Sequence, residues 1–212
     1  MAYDYAANVL RLRKLANDTA ASNLASQEVP KGTKDGANVN FRVQNQNVVV
    51  GSVYVTLAGD VRSQVGFTVD APNGLLAFAI APPQDTEPFE ADYNWQWFTD
   101  AEYTEFLDQG AEVLGVAKGS DVTEGLIPAQ MQFALYYYYM RRAVQYAHRY
   151  AASGGIVGQQ VDVVTKNFRD LGKCAWDAGS SLRDMFYKRQ GQREAPASTA
   201  FNYNFDPFTP RR

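Results

Sequence analysis

The stretch Phe89-Glu90-Ala91-Asp92-Tyr93-Asn94-Trp95-Gln96-Trp97-Phe98-Thr99-Asp100-Ala101-Glu102 contains a change of period. Phe89, Ala91, Tyr93, Trp95 and Trp97 alternate with Glu90, Asp92, Asn94 and Gln96, the spacing of a strand with one buried face. Thr99 and Glu102 then form a T-x-x-E capping box, in which the hydroxyl meets an orphan amide of the first helical turn and the carboxylate reaches back to the cap's own N–H. A strand that hands over directly to a capped helix predicts an α+β chain.

Upstream, period two continues. Val39, Phe41 and Val43 alternate with Asn40, Arg42 and Gln44, the run Val48 to Leu57 is rich in β-branched residues, and turns at Gly59-Asp60 and Pro72-Asn73-Gly74 separate further short apolar runs. Short strands between turn residues predict an antiparallel sheet or small sandwich over residues 39–98. Before it, Tyr5, Val9, Leu12, Ala16, Ala20 and Leu24 recur at helical spacing over residues 4–26, with Arg11, Arg13 and Lys14 on the remaining faces, and residues 26–38 read as a loop holding Pro30, Gly32 and Gly36.

Downstream, the capped helix is expected to stop at Gly110. Ile127-Pro128 opens a longer one that Ser153-Gly154-Gly155 closes. In it Phe133, Tyr137, Met140 and Val144 make one stripe and Ile127, Met131, Leu135 and Tyr138 another, while Arg141, Arg142, Gln145, His148 and Arg149 form a solvated basic face. The last helix repeats Val161, Val164, Phe168, Leu171, Ala175, Ala178, Leu182 and Met185 at alternating steps of three and four, a heptad-like seam expected to pack Phe168 and Leu171 against the Phe133, Tyr137 and Met140 stripe. The architecture is thus a helical bundle, one N-terminal and three later helices, with an inserted antiparallel β subdomain and an extended C-terminal tail. Its boundaries fall at 1–38, 39–98, 99–191 and 192–212.

The 212 residues carry 20 basic and 23 acidic side chains for a net charge of -3, which argues against a dedicated nucleic-acid binder. With one cysteine, Cys174, and one histidine, His148, the chain makes no internal disulfide and no Cys/His metal site. No apolar run reaches the roughly 18 residues of a membrane span, and the start Met1-Ala2-Tyr3-Asp4 lacks the basic-then-apolar pattern of a signal peptide, so a soluble product made in the cytoplasm is expected. No nucleophile elbow, Walker loop, dinucleotide fingerprint or zinc-protease motif occurs, and neither an enzymatic role nor a cofactor is expected. Cys174 reads as a small buried hydrophobe at the edge of the seam. Asp85, Glu87, Glu90 and Asp92 cluster at a strand start, where Glu90 and Asp92 share a side. A glycosidase pair there is the alternative to a solvated strand face, as sugar stacking on Trp95 and Trp97 is to a place in the β core.

The unusual feature is aromatic: 13 Tyr, 12 Phe and 3 Trp. Tyr136, Tyr137, Tyr138 and Tyr139 cover every direction of a helix, which suggests a subunit interface. In the tail Phe201, Tyr203 and Phe205 alternate with Asn202, Asn204 and Asp206, and Phe208 follows Pro207. Aromatics at period two in a polar, proline-containing segment suit strand addition or docking along a partner's groove, with Arg211 and Arg212 directed to acidic groups.

Three of these stretches, Phe89 to Glu102, Ile127-Pro128-Ala129 and Phe186 to Arg212, together with the overall layout, resemble the head-to-tail connector, or adaptor, proteins of tailed bacteriophages. The resemblance implies a viral structural protein without catalytic residues, assembled in the host cytoplasm into a homo-oligomeric ring, usually of twelve copies. That ring sits in the neck of the virion between the portal protein and a stopper or tail-tube protein, and packaged DNA passes through it without sequence-specific contact. The β insertion of about 60 residues is larger than in the plainest members. A stopper or tail-completion protein is the neighbouring alternative, and a carbohydrate-binding or glycan-cleaving module is the alternative from another class.

Overall fold

The computed structural model describes residues 3–19, 21–57, 60–63, 66–84, 89–150 and 156–191. Among them it has four α-helices and two small antiparallel sheets, an α+β fold. The chain divides into two compact units, one of residues 13–102 and the other of residues up to 12 together with those from 103 onward.

In the first unit, β1 (Leu24–Glu28), β7 (Phe89–Asn94), β3 (Tyr54–Leu57) and β4 (Asp60–Ser63) form one sheet in that order, and β2 (Asn40–Arg42), β6 (Leu75–Phe78) and β5 (Phe67–Asp70) form the other. Along β7, Phe89, Ala91 and Tyr93 are buried while Glu90, Asp92 and Asn94 are not, as the alternation predicts. Both sheets feed one core. Val55, Leu57, Phe89 and Ala91 from the first meet Phe41, Phe67, Leu76 and Phe78 from the second. Phe41 stands edge-on to Phe89 at 4.6 Å between centroids and to Phe78 at 5.7 Å, the arrangement that aromatic quadrupoles favour.

The N-terminal helix is shorter than its spacing suggests. α1 spans Tyr5–Leu15, not 4–26. Asn17 takes a left-handed φ of 52°, its N–H donates to the Lys14 carbonyl (3.2 Å) and the Asp18 N–H donates to that of Arg13 (2.9 Å). This is a Schellman stop, with Asn rather than Gly in the left-handed position. Leu24 to Glu28, expected in helix and loop, instead form β1, whose Ala25 pairs with Tyr93. Within the Val48 to Leu57 run, a single 3-10 turn at Val50–Ser52 precedes β3.

α2 (Asp100–Val113) starts in the last residues of the first unit and continues into the second, and it follows the capping box as expected: the Thr99 N–H donates to Glu102 (2.8 Å) and the Glu102 N–H to the Thr99 hydroxyl (3.3 Å). The helix runs through Gly110 and stops at Gly115, where φ is 77° and the Val116 and Gly115 amides donate to the Ala111 and Glu112 carbonyls. Gly110 serves packing: a Cβ there would lie 2.6 Å from the Gln130 carbonyl oxygen. α3 (Ile127–Tyr150) opens at Ile127-Pro128 and α4 covers Ile156–Arg189, while Ser153-Gly154-Gly155 lies outside the described residues.

The α4 seam also differs from its expectation. Val161, Thr165, Gly172, Ala175, Trp176 and Gly179 are buried, whereas Leu171 is 48% exposed and Met185 47%. Compared with the heptad reading, the buried face is rotated about the axis by roughly 70°. Glycine is the reason: a Cβ on Gly179 would sit 3.0 Å from the Phe133 ring, and one on Gly172 would meet Tyr136 and Met140. α3 therefore lays its rings over the glycine side of α4, and Trp176, absent from the seam as read, stands edge-on to both Phe133 and Tyr136 at 5.0 Å.

Candidate functional site

The four consecutive tyrosines of α3 point in four directions, and the chain itself covers each at least in part. Tyr138 is fully buried, its ring 5.8 Å from Tyr103 and 6.3 Å from Phe106, with its hydroxyl accepting from the Arg142 guanidinium at 3.0 Å. Tyr136 lies against Trp176 and Tyr137, and Tyr139 against Tyr138; these three rings remain half-buried. Burial pushes the Tyr137 hydroxyl up to about 12, the Tyr136 and Glu112 charges adding to it, and burial raises those of Tyr136 and Tyr139 as well. The inference that a partner is required to cover all four rings does not hold for Tyr138.

The basic face is less solvated than its composition suggests. The Arg142 guanidinium carbon lies 4.5 Å from the centroid of Phe168 and 5.8 Å from that of Tyr138, so its charge rests between aromatic faces. Arg141 pairs with Glu105 at 3.0 Å over the Phe106 ring. His148 is exposed. Phe168 packs with Tyr146 and Arg142 of α3, and Leu171 is half exposed. Cys174, expected to be buried, is exposed.

In the β unit, Trp95 and Trp97 stand edge-on at 4.9 Å and both are half-buried, Trp95 packing against the β core. Asp92 accepts from the Ser26 hydroxyl (2.7 Å) and the Gln27 N–H (2.8 Å), so its carboxylate holds β1 where Gln27 adopts a left-handed φ of 53°. Asp85 and Glu87 lie outside the described residues, as do the tail positions Phe201, Tyr203, Phe205, Phe208, Arg211 and Arg212. Among the described residues no group of three or more His, Cys, Asp or Glu could hold a metal, and no helix is long and apolar enough to cross a membrane.

Two buried polar centres escaped the sequence reading. In the β unit Arg13, assigned to a remaining face of its helix, is buried. It donates to Asp100 (2.8 Å) and to the Phe98 carbonyl (2.9 Å) and lies 3.6 Å from the fully buried Asp18. Asp18 in turn accepts from Asn23 and from the Trp97 N–H, tying the α1 stop to the end of β7. In the helical unit, the Tyr5 hydroxyl donates to buried Asp108 (2.8 Å) and that of Tyr3 to fully buried Gln130 (2.8 Å), whose amide donates to the Leu107 carbonyl (2.9 Å). Burial first, and Asp108 second, push the Tyr5 hydroxyl up to about 12. No spacing rule signals these centres, because their members are up to 127 positions apart in sequence. They join elements that lie far apart in the chain.

The chain matches no protein-family model, no curated protein and no solved structure.

Proposed function

We propose that this chain is a structural virion protein, a head-to-tail adaptor that assembles as a ring between portal and tail around the DNA channel. The observation that carries the reading is the end of α4. The helix closes at Gly191, with φ 76°, and residues 192–212 beyond it gather four aromatics into eight positions and finish on two arginines. A segment of that composition gains little by lying in water and much by ordering against a receiving surface. Extended, it reaches on the order of 70 Å, far enough to cross to a neighbouring subunit or ring. Ordering costs about 1–2 kcal/mol per residue of backbone entropy, so a single tail binds weakly; a ring of tails engages its neighbour at high effective concentration. Tyr136, Tyr137 and Tyr139, each half-buried, supply the lateral contact between copies in this reading.

Truncation after Gly191 tests it. The shortened chain is expected to keep its far-UV helical signal and to lose incorporation into particles. Infectious virions at normal yield from the truncated chain would overturn the proposal.

A further inference from the structure

Of the apolar positions along α4, Val161, Phe168, Ala175 and Leu182 belong to the side that packs on α3 or its surroundings. Val164, Leu171, Ala178 and Met185 repeat every seven residues on the adjoining side, where Leu171 and Met185 stay about half exposed. Cys174, also exposed, sits between Leu171 and Ala178 on this shoulder. Asp170, Asp177 and Asp184, again seven residues apart, border it on the outer side.

We infer that this shoulder is the seat of the chain's own residues 201–212 in the free protein. The inference rests on reading the tail as a docking segment, but it concerns the chain before assembly. The left-handed Gly191 swings the backbone off the helix axis, as such caps do. Met185 lies about 9 Å back along the helix and Leu171 about 30 Å. Extended chain from Gly191 reaches roughly 33 Å by Phe201 and roughly 56 Å by Phe208, so the segment can reverse and run along α4 without strain. Its aromatic part matches the row in length: Phe201 to Phe208 spans roughly 23 Å extended, and Met185 to Leu171 roughly 21 Å of helix. Pro196, Pro207 and Pro210 keep the segment from continuing as a helix, so it lies extended with its rings between Met185, Ala178 and Leu171. Beyond Phe208, Arg211 and Arg212 arrive at the Asp170 end of the acidic border. The apolar row and the tail's aromatics thus cover each other until a neighbouring ring offers the tail a better surface.

Cys174, the one cysteine of the chain, reads the seat directly through its rate of reaction with an aromatic disulfide reagent. The full chain is expected to react at least tenfold more slowly than the chain truncated after Gly191, at a rate independent of protein concentration. Leu171→Lys in the full chain restores fast reaction, and a synthetic peptide of residues 199–212 added to the truncated chain slows it again. Equal rates in full and truncated chains would overturn the inference. So would protection that survives truncation and grows with concentration, which assigns the shoulder to a second copy. The labelling reads the free chain and incorporation reads the particle, so the two proposals fail separately. A protected thiol with a truncated chain that still enters virions overturns the adaptor role of the tail alone, and equal labelling with lost incorporation overturns the seat alone.

Discussion

The β unit and the pair α3 and α4 respond differently to the same pressure to bury apolar side chains. In β7 the pattern in the chain is the pattern in the fold: Phe89, Ala91 and Tyr93 go in, and their neighbours stay out. In α4 a pattern just as regular is honoured by only one of its two rows, and Leu171 and Met185 remain half exposed. The difference is geometric. A strand has two faces, and slipping by one residue would turn every inward side chain outward, so partial compromise is unavailable. A helix can rotate by a fraction of a residue step at small cost, and the best angle depends on what it packs against. Here the partner is a helix carrying Phe133 and Tyr136, and the glycines of α4 let those rings come closest.

The largest expected effect sharpens this contrast within α4's own contacts. Phe133→Ala removes a fully buried ring that packs on Trp176 and Gly179 and should cost about 3–5 kcal/mol, while Leu171→Ala should cost less than about 1 kcal/mol. Urea melts of the two variants check the rotation. Comparable losses would mean that the heptad row as read from sequence is the true contact.

A smaller effect separates the two roles of glycine. Gly110→Ala would drive a Cβ to 2.6 Å from the backbone oxygen of Gln130 and should destabilise by about 1–3 kcal/mol, even though alanine is the better helix former. At Gly172 the new methyl meets Tyr136 and Met140 at 3.5–3.6 Å, ordinary contact distance, so Gly172→Ala should be neutral or gain up to about 1 kcal/mol. Thermal melts decide; a stabilised Gly110→Ala variant would remove the close approach of α2 to α3.

The smallest effect is a matter of protons. Tyr137 and Tyr5 each have a hydroxyl raised to about 12 in the folded chain against about 10 when unfolded. Between those values the unfolded state has released protons that the folded state still holds, so stability falls as pH rises from about 10 to about 12 and is unaffected by these groups below about 10. Tyrosinate absorbance near 295 nm should accordingly lag free tyrosine in the native protein and jump on unfolding at pH 11. A native titration that coincides with that of free tyrosine would contradict the burial described for Tyr137.

Local signals account for much of what is seen. The capping box of Thr99 and Glu102 and the Ile127-Pro128 start of α3 need only neighbouring residues, and both stand where the chain places them. Helix stops were not legible in the same way. Asn17 and Gly115 end their helices through the left-handed conformation although the spacing pointed to neither, whereas Gly110, a nominal stop, lies mid-helix because the Gln130 backbone approaches it. Of the candidate interaction residues, the aromatic excess identified Tyr136 to Tyr139, but whether each ring is covered depends on Tyr103, Phe106 and Trp176, which lie far away in sequence.

The sequence by itself determined the α+β class, the inward set of β7 and the cap of α2, because each depends on the backbone period or on hydrogen bonds between residues a few positions apart. Only the tertiary structure decided which side of α4 is buried, that Leu24 to Glu28 pair with β7, and that Arg13 and Asp18 meet inside the β unit. Those outcomes depend on long-range packing, where the shape of a distant partner selects among arrangements that local energetics leave nearly equal.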